Sequence, residues 1–447
     1  MEENIAALST AFATAGVAVI RISGDSPLEI AEKMFAPQGK TPVKDFEPYK
    51  MYTGTIDGKT FTDYGMCVYF KAPKSYTGEN MVEFHCHGGV AIVKGLLRRI
   101  YELGARPAER GEFTKRAFVN GKLSLSSAEG LIDMINSESE SEVRAGYGLY
   151  REKLKKKIDV IQDELTYALA KIDADIDFPE EDLEAVSREE INETLDKAES
   201  ELDKILATYR TGRTLKNGVK VAICGKPNAG KSSLLNAILG YEKAIVTSIP
   251  GTTRDVVEGS TSIKGVKFDF YDTAGIRETS DEVEGIGVSI ALKTVKNADL
   301  VLFVYSAEDF NKEDEEILSG LNGLNVVKVM NKTDLADGKN NDVILPELKT
   351  SAATGAGVEE LKRYVFECTV GANIDLGGDF LTEERHYDAI KRAKEKIASA
   401  KASVIDMPLD LSSIDIKEAW QYLGEISGKS ASEDVINEIF SKFCVGK

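Results

Sequence analysis

Gly225-Lys226-Pro227-Asn228-Ala229-Gly230-Lys231-Ser232 matches G-x-x-x-x-G-K-[ST], the pattern of a phosphate-binding loop. An apolar stretch at 219–224 precedes it and predicts a buried strand, and residues 232–239 predict a helix after it. In this arrangement backbone N–H groups surround the phosphates and the helix N-terminus adds partial positive charge. We expect Lys231 to reach the β and γ phosphates and the Ser232 hydroxyl to hold Mg²⁺. Taken alone, the motif leaves open a glycine-rich turn with a chance lysine.

Two further motifs supply candidate contacts to the γ-phosphate and its metal. Gly251-Thr252-Thr253-Arg254-Asp255 offers a threonine to Mg²⁺ and the γ-phosphate. Asp272-Thr273-Ala274-Gly275 follows a predicted strand at 267–271. There Asp272 is expected to hold the water shell of the metal, and the Gly275 N–H to contact the γ-phosphate.

A fourth motif predicts guanine recognition. Asn331-Lys332-Thr333-Asp334 follows a predicted strand at 326–330. The Asp334 carboxylate can accept from guanine N1–H and the 2-amino group, a donor pair that adenine lacks. Ser351-Ala352 is expected to place a backbone N–H near guanine O6. Together the four motifs predict a doubly wound α/β domain that binds GTP at the carboxyl ends of its strands.

The hydrolytic machinery lacks one usual residue. Many such GTPases have a glutamine after the Asp-x-x-Gly motif that orients the attacking water, and here that position is Ile276. Hydrolysis therefore needs another way to place water and neutralise charge. Asn228 could offer its side-chain oxygen to a monovalent cation beside the phosphates. Glu284 could orient the attacking water through a second water, or it could be an ordinary exposed residue.

Composition limits the class of protein. A chain of 447 residues predicts two to four domains, and 42% hydrophobic with 29% charged residues is typical of a soluble globular protein. The net charge of −18 disfavours stand-alone binding of polyanions, so any nucleic-acid contact needs a local basic patch or a partner. Five scattered cysteines without a C-x-x-C motif fit a reducing cytoplasm rather than a disulfide or zinc framework. No apolar run reaches the ~18 residues of a membrane span.

The first 120 residues predict a mixed α+β domain. Its expected helices lie at 27–35 and 90–103, and its expected strands at 17–22, 51–56, 65–70 and 81–85. His85 and His87 would share one face of the last strand, as two metal ligands would. The chain has only three histidines and no acidic residue follows closely, so packed imidazoles at a strand end are the favoured interpretation.

Helical apolar spacing dominates two separate segments. Residues 121–215 form the first, with a capping box at Ser187 and Glu190, and residues 371–447 form the second, with a capping box at Ser430 and Glu433. We expect the segments to pack together as one helical domain into which a GTPase domain at 216–370 is inserted. The most basic run, 151–157, is interpreted as a solvated helix face, with an RNA-facing patch as the less favoured alternative.

The whole sequence resembles the tRNA-modification GTPase family known as MnmE or TrmE. The stretches that carry this resemblance are residues 5–7, 19–24, 75–79, 87–89, 110–114, 227–233, 251–255 and the terminal Cys444-Val445-Gly446-Lys447. The resemblance implies a potassium-activated GTP hydrolase. With the FAD-containing partner MnmG, in a heterotetramer, it would install an aminomethyl-type group at C5 of the tRNA wobble uridine. It also implies a cytoplasmic homodimer whose N-terminal domain, residues 1–120, binds 5-formyl- or 5,10-methylene-tetrahydrofolate.

The same resemblance implies roles for individual residues. Those matching folate-contact positions are Arg21, Glu79, Lys122 and Lys447. Those matching ligands of K⁺ are Asn228, Thr247, Ile249 and Thr252, and those matching ligands of Mg²⁺ are Ser232 and Thr253. Cys444 matches the active-site thiol and Glu284 the water-orienting acid. The residues expected to contact GTP are Asn228, Ala229, Gly230, Lys231, Ser232, Ser233, Thr247, Ser248, Ile249, Pro250, Gly251, Thr252, Thr253, Asp272, Thr273, Ala274, Gly275, Asn331, Lys332, Thr333, Asp334, Ser351, Ala352 and Ala353.

One stretch departs from the family pattern. The family usually has T-P-x-G-x-G-G after its first strand, where this chain has Thr10-Ala11-Phe12-Ala13-Thr14-Ala15-Gly16. Fewer glycines restrict the backbone there.

A second functional hypothesis is a GTP-switched ribosome-assembly or RNA-binding module. The acidic charge, the single GTPase domain and the lack of a KH-type GxxG disfavour it.

Overall fold

The structure is a computed structural model that describes residues 3–177, 188–240, 259–272, 294–335, 346–372 and 378–447. One compact unit combines Met1–Ile135, Tyr147–Glu201 and Asp388–Lys447, and a second combines Asn136–Gly146 with Leu202–Tyr387. A compact unit need not coincide with a domain, so the predicted boundaries after residues 120, 215 and 370 stay predictions. Within the described ranges, no helix has both the length and the apolar character needed to cross a membrane.

A seven-stranded sheet lies in the first unit. Its strands are β1 (Ile5–Leu8), β2 (Ala15–Gly24), β3 (Phe35–Pro37), β4 (Met51–Asp57), β5 (Thr62–Phe70), β6 (Asn80–Gly88) and β7 (Arg106–Pro107). They lie in the order β3-β4-β5-β6-β2-β1-β7, antiparallel except for the parallel β1–β7 pair. Helices α1 (Pro27–Met34) and α2 (Val90–Glu102) pack on one face, where Leu96 of α2 shares a core with Ile20 and Phe84 of the sheet. The predicted strands and helices of this region are confirmed.

Helices follow this sheet in the chain, as the apolar spacing predicts. They are α3 (Glu112–Val119), α4 (Leu125–Asn136), α5 (Glu140–Tyr150), α6 (Lys153–Asp177) and α7 (Arg188–Ala207). Along α6 the residues at helical spacing, Ile158, Ile161, Leu165 and Ile172, are buried. Ser187 of the first predicted capping box lies outside the described residues.

A six-stranded sheet forms the centre of the second unit. Its strands are β8 (Val219–Cys224), β9 (Gly259–Ile263), β10 (Val266–Asp272), β11 (Leu300–Ser306), β12 (Val326–Asn331) and β13 (Leu348–Lys349). The order is β13-β12-β11-β8-β10-β9, and β9 runs antiparallel to β10 while the other neighbours are parallel. Its helices are α8 (Tyr209–Asn217), α9 (Lys231–Leu239), α10 (Lys312–Ser319) and α11 (Val358–Thr369). Separate apolar clusters around Phe268 and Phe303 show that the sheet is covered on both faces, which confirms the doubly wound fold.

The chain then returns to helices. These are α12 (Glu384–Asp406), α13 (Leu409–Ser427) and α14 (Glu433–Ser441). Helix α13 packs against α6, and Gln162 Nε2 donates to the Trp420 carbonyl oxygen at 2.9 Å. The predicted helical domain built from two chain segments is therefore confirmed.

The start of α14 differs from the predicted capping box. Ser432 is the N-cap, and its hydroxyl accepts from the Val435 N–H at 3.4 Å. Ser430 instead donates to the Gln421 carbonyl oxygen at 2.7 Å. The prediction was wrong because Ser432 directly precedes the first helical residue, and only a side chain there reaches the unpaired N–H groups of the first turn.

A buried ion pair fastens the start of the phosphate loop to α10. Lys226 Nζ lies 2.7 Å from Asp314 Oδ2 and donates to the Asp309 carbonyl oxygen at 2.8 Å. Burial opposes the charge on Lys226, but hydrogen bonds to Asp314 and Asp309 and the charges of both outweigh it and raise its pKa. Since the side chain of Asp314 is 0% exposed, each charge depends on the other.

We expect the single substitution Asp314→Leu to destabilise the second unit by about 3–5 kcal/mol, because Lys226 is left as a buried, uncompensated charge. The double variant Lys226→Met/Asp314→Leu should regain most of that loss, since an apolar pair of similar shape has no charge to desolvate. Hydrogen exchange of the β8 and β11 amides measures both effects. Equal protection from hydrogen exchange in the single variant and the native chain would show that the Lys226–Asp314 ion pair does not stabilise this unit.

Candidate active site

The phosphate loop, residues 225–230, joins β8 to α9 through left-handed backbone conformations. Gly225 has φ +143°, and a Cβ there would lie 2.0 Å from the Val304 carbonyl oxygen, so a larger residue cannot fit. Gly230 has φ +89° and Asn228 has φ +63°, a conformation that asparagine adopts more readily than most residues. These torsions give the loop the tight curvature that a phosphate cradle requires.

Lys231 and Ser232 begin α9 directly after this loop. The buried Lys231 amine donates to the carbonyl oxygens of Gly225 at 2.9 Å and Lys226 at 2.7 Å, which holds it over its own loop. Ser232 Oγ donates to Asp272 Oδ2 at 2.9 Å. A hydroxyl and a carboxylate oxygen are the hard ligands that Mg²⁺ takes, so this pair fits that ion. The structure thus brings together two residues that were predicted from separate motifs.

The side-chain amide of Asn331, at the end of β12, contacts two loops. Its Nδ2 donates to the Ala229 carbonyl oxygen at 3.1 Å, in the phosphate loop. Its Oδ1 accepts from the Ala352 N–H at 3.1 Å, in the loop after β13. A Cβ on Gly230 would lie 2.3 Å from this Nδ2, so the contact also requires a glycine there. The guanine motif is therefore tied to the phosphate loop by a buried amide.

The residues predicted to recognise guanine lie at the carboxyl end of β12. Exposed Asp334 accepts from the Ser351 hydroxyl through Oδ1 at 2.5 Å, which fixes the direction of its carboxylate. Thr333 Oγ1 donates to the Thr350 carbonyl oxygen at 3.0 Å. The sequence predicted a backbone role for residue 351, and the hydroxyl contact was missed because no spacing indicates it. Lys332 is half-buried, and Ser233 and Ala353 are exposed beside their motifs.

Eleven of the predicted site residues lie outside the described residues: Thr247, Ser248, Ile249, Pro250, Gly251, Thr252, Thr253, Thr273, Ala274, Gly275 and Glu284. Their assigned roles therefore stay predictions. Of the four residues that match K⁺ ligands, Asn228 is the one within the described chain.

In the first unit, Arg21 lies on the sheet face opposite α1 and α2. Its guanidinium forms an ion pair with Glu83 at 2.8 Å, and its Cζ lies 5.1 Å from the Tyr76 ring centroid and 5.6 Å from that of Phe113. Burial would raise the pKa of Glu83, but the nearby His85 side chain and the hydrogen bond and charge of Arg21 lower it overall. The Arg21 guanidinium is thus paired with Glu83 and lies close to two aromatic rings.

Glu79 and Lys122 lie in the same part of this unit. Glu79 is buried, accepts from Ser23 Oγ at 2.7 Å and forms an ion pair with Arg116 at 3.0 Å. Ser23 points to the same sheet face as Arg21, so the structure brings these two predicted folate contacts to one face. Lys122 Nζ donates to the Pro73 carbonyl oxygen at 3.0 Å. A Cβ on Gly78, the residue before Glu79, would lie 3.4 Å from Lys122 Cγ.

The C-terminal tail is seated on the N-terminal sheet. Val445 forms a β-bridge with Arg110, and the Gly446 carbonyl oxygen accepts from Ser9 Oγ at 3.3 Å. Gly446 has φ +98°, and a Cβ there would lie 2.0 Å from the Leu8 carbonyl oxygen. Lys447 is half-buried at the end of this tail, and the neighbouring Cys444 is exposed.

Burial separates the cysteines into two groups. Burial raises the pKa of Cys86 to about 11 and of Cys224 to about 12, and it raises that of Cys67 further. Such thiols stay protonated and unreactive near neutral pH. The two exposed cysteines are Cys368, in the second unit, and Cys444.

The two histidines of β6 have carboxylate partners rather than a metal cluster around them. His87 Nδ1 lies 2.6 Å from Asp63 Oδ1, and His85 Nε2 lies 3.6 Å from Glu83 Oε2. His87 is exposed, so the expectation of two packed imidazoles was wrong for this residue. Asp63 lies on the neighbouring strand β5, so spacing within β6 could not indicate it. Among the described residues, no group of three or more His, Cys, Asp or Glu side chains is arranged to hold a metal ion.

A loop with the phosphate-binding sequence, a carboxylate bonded to the serine that follows it and the loop predicted to recognise guanine all lie at the carboxyl ends of parallel strands, the arrangement of a P-loop GTPase. Comparison with known proteins gives the family. A family model described as MnmE helical domain matches residues 125–444, and one described as GTP-binding protein TrmE N-terminus matches residues 4–122. The chain belongs to the MnmE family of tRNA modification GTPases.

Full-length relatives carry the name tRNA modification GTPase MnmE. The protein of Natranaerobius thermophilus is 39% identical over 458 residues, covering 100% of both chains. That of Aquifex aeolicus is 39% identical over 454 residues, again covering 100% of both. Among solved structures, Aquifex aeolicus Era bound to GDP and aluminium fluoride is 30% identical over 40% of this chain and 66% of its own, with a TM-score of 0.28.

We expect Asp334→Asn to shift nucleotide preference from GTP towards XTP by at least about 100-fold, because an amide cannot accept from both guanine donors. Competition binding of GTP and XTP to the full chain measures this shift. The matched control is Asp309→Asn, which changes an exposed aspartate outside the guanine loops and should leave the preference unchanged. Unchanged GTP preference in Asp334→Asn would show that the Asp334 carboxylate does not recognise guanine.

Proposed function

We propose that this GTPase is activated by K⁺ and that its hydrolysis drives a folate-dependent modification of tRNA. With an FAD-containing MnmG-type partner, it would install an aminomethyl-type group at C5 of the wobble uridine. The observation that best supports this proposal is the C-terminal tail, whose exposed Cys444 is held in the same unit as Arg21 and Glu79. A GTPase that served only as a ribosome-assembly switch would have no need of a thiol fixed in this way.

The proposed chemistry at the nucleotide follows from the groups around it. Lys231 and the loop N–H groups would bind the phosphates, and Ser232, Asp272 and Thr253 would hold Mg²⁺ directly or through its water. Ile276 cannot orient water, so Glu284 would take that role. The Asn228 side chain, with Thr247, Ile249 and Thr252, would hold K⁺, whose charge would stabilise the negative charge that builds up in the transition state.

The proposed modification site is the face of the first sheet that carries Arg21. Arg21, Glu79, Lys122 and Lys447 would hold a tetrahydrofolate, which supplies the one-carbon unit when bound. The half-buried ring of Tyr76 beside Arg21 suits a planar heterocycle, and the Arg21 and Glu79 side chains offer charged hydrogen-bond partners. Cys444 would be the reactive thiol. The working assembly would be a cytoplasmic homodimer joined to its MnmG-type partner as a heterotetramer.

The cation requirement gives a direct test. We expect the rate of GTP hydrolysis to be at least about tenfold higher in KCl than in NaCl at equal ionic strength, because Na⁺ is too small for a site sized for K⁺. Steady-state phosphate release measures the two rates, and Asn228→Ala should abolish the difference. Equal rates in both salts for the native chain would rule out activation by K⁺.

The thiol can be tested separately. We expect Cys444→Ser to leave GTP hydrolysis unchanged within about twofold and to abolish the wobble modification, because a hydroxyl is a far weaker nucleophile than a thiol. Nucleoside mass analysis of tRNA from cells carrying the variant measures the modification. Cys368→Ser, at the other exposed cysteine, is the matched control. Normal modification in the Cys444→Ser strain would show that this thiol takes no part in the reaction.

A further inference from the structure

The corner between α5 and α6 carries an unusual surface for so acidic a chain. Helix α5 ends at Tyr150, Glu152 takes a left-handed φ of +59°, and α6 begins at Lys153. Ser127 Oγ in α4 donates to the Tyr150 carbonyl oxygen at 3.2 Å and to Glu152 Oε1 at 3.3 Å. These contacts fix the corner on α4 in the first unit.

Exposed basic and aromatic side chains are concentrated at this corner. We define the corner patch as Tyr147, Tyr150, Arg151, Lys153, Lys156 and Lys157, all of which are exposed. Tyr147 and Tyr150 are one helical turn apart and are 49% and 40% exposed, which is high for such large rings. Lys153, Lys156 and Lys157 likewise share a face of α6.

The positive charge of the patch is local. Lys155, the remaining cation of the run, is paired with Asp159 at 2.8 Å, and α6 becomes acidic from there onward. The N-terminus of α6 adds partial positive charge at the corner. In a chain of net charge −18, such a local group of exposed cations favours contact with an anion.

The patch and the Arg21 site belong to the same compact unit. Burial is the main cause that raises the pKa of Tyr76, the ring beside Arg21; the Thr114 hydrogen bond and the Arg21 charge lower it, and Tyr150 of the patch raises it slightly.

We propose that the corner patch is a docking surface for tRNA. The inference rests on the proposed function, because the RNA it would bind is the substrate of the modification. Arg151 and Lys156 would contact phosphates, and the Tyr147 ring would stack on an unpaired base, as aromatic side chains do in single-stranded RNA loops. Exposed tyrosines beside the cations favour RNA over an acidic protein partner, because every base offers a face for stacking.

The charge contribution is tested with Arg151→Ala/Lys156→Ala in the full-length chain. Fluorescence anisotropy with labelled, unmodified tRNA should show affinity about tenfold weaker than native. The slope of log Kd against log[KCl] should fall by about 1.5, since two phosphate contacts are lost. The matched control is Lys391→Ala/Lys417→Ala, which removes two exposed lysines from other helices of the same unit.

The stacking contribution needs a different pair of variants. Tyr147→Leu should weaken tRNA binding about tenfold with the salt slope unchanged, whereas Tyr147→Phe should stay within about twofold of native. GTP hydrolysis should be native in all these chains, which shows that they are folded.

These experiments distinguish a failure of the patch proposal from a failure of the proposed function. If native chain modifies and binds tRNA while Arg151→Ala/Lys156→Ala behaves as the lysine control does, the patch proposal is overturned and the function stands. If the variant keeps tRNA affinity but loses its MnmG-type partner, the patch is a protein interface and the proposal is likewise overturned. If native chain neither binds nor modifies tRNA with its partner present, both proposals fail.

Discussion

The buried amide of Asn331 is the contact on which the nucleotide site depends. Its Nδ2 donates to the Ala229 carbonyl oxygen of the phosphate loop, and its Oδ1 accepts from the Ala352 N–H. A loop with left-handed residues is not stable by itself, because its backbone groups lack the partners that a helix or strand supplies. One side chain therefore joins the loop predicted to bind phosphates to the loops predicted to recognise guanine.

A second constraint acts on the C-terminal tail. A Cβ on Gly446 would lie 2.0 Å from the Leu8 carbonyl oxygen, so no other residue fits there, and a Cβ on Gly111 would lie 2.3 Å from the Phe440 carbonyl oxygen. The apolar cluster of Phe440, Phe443, Leu125 and Ile132 anchors the helix that precedes the tail. The position of Cys444 thus follows from packing at both its sides. The short terminal motif is held against the N-terminal part of the same unit by the contacts of Val445 with Arg110 and of Gly446 with Ser9.

Much of this architecture was predictable because periodicity and motif order are local signals. Strands β2, β4, β5, β6, β8, β10 and β12, the two-segment helical domain and the meeting of Ser232 with Asp272 follow from them, whereas strands such as β1, β9 and β11 were not predicted. Contacts between distant residues were not predictable: Lys226 with Asp314, His87 with Asp63, and the Ser351 hydroxyl with Asp334. Each depends on strand register or loop conformation, and neither can be read from spacing along the chain. The cap at Ser432 shows the same limit on a smaller scale, because two serines compete and helix geometry decides between them.

The central claim is that GTP hydrolysis at Lys231 is coupled to chemistry on tRNA. The most direct measurement is mass analysis of the wobble nucleoside from cells whose only copy of this protein carries Lys231→Ala. Such a chain lacks the amine proposed to bind the β and γ phosphates, so we expect the C5-modified uridine to disappear while the protein is still produced at native levels. A fully modified wobble uridine in those cells would contradict the coupling.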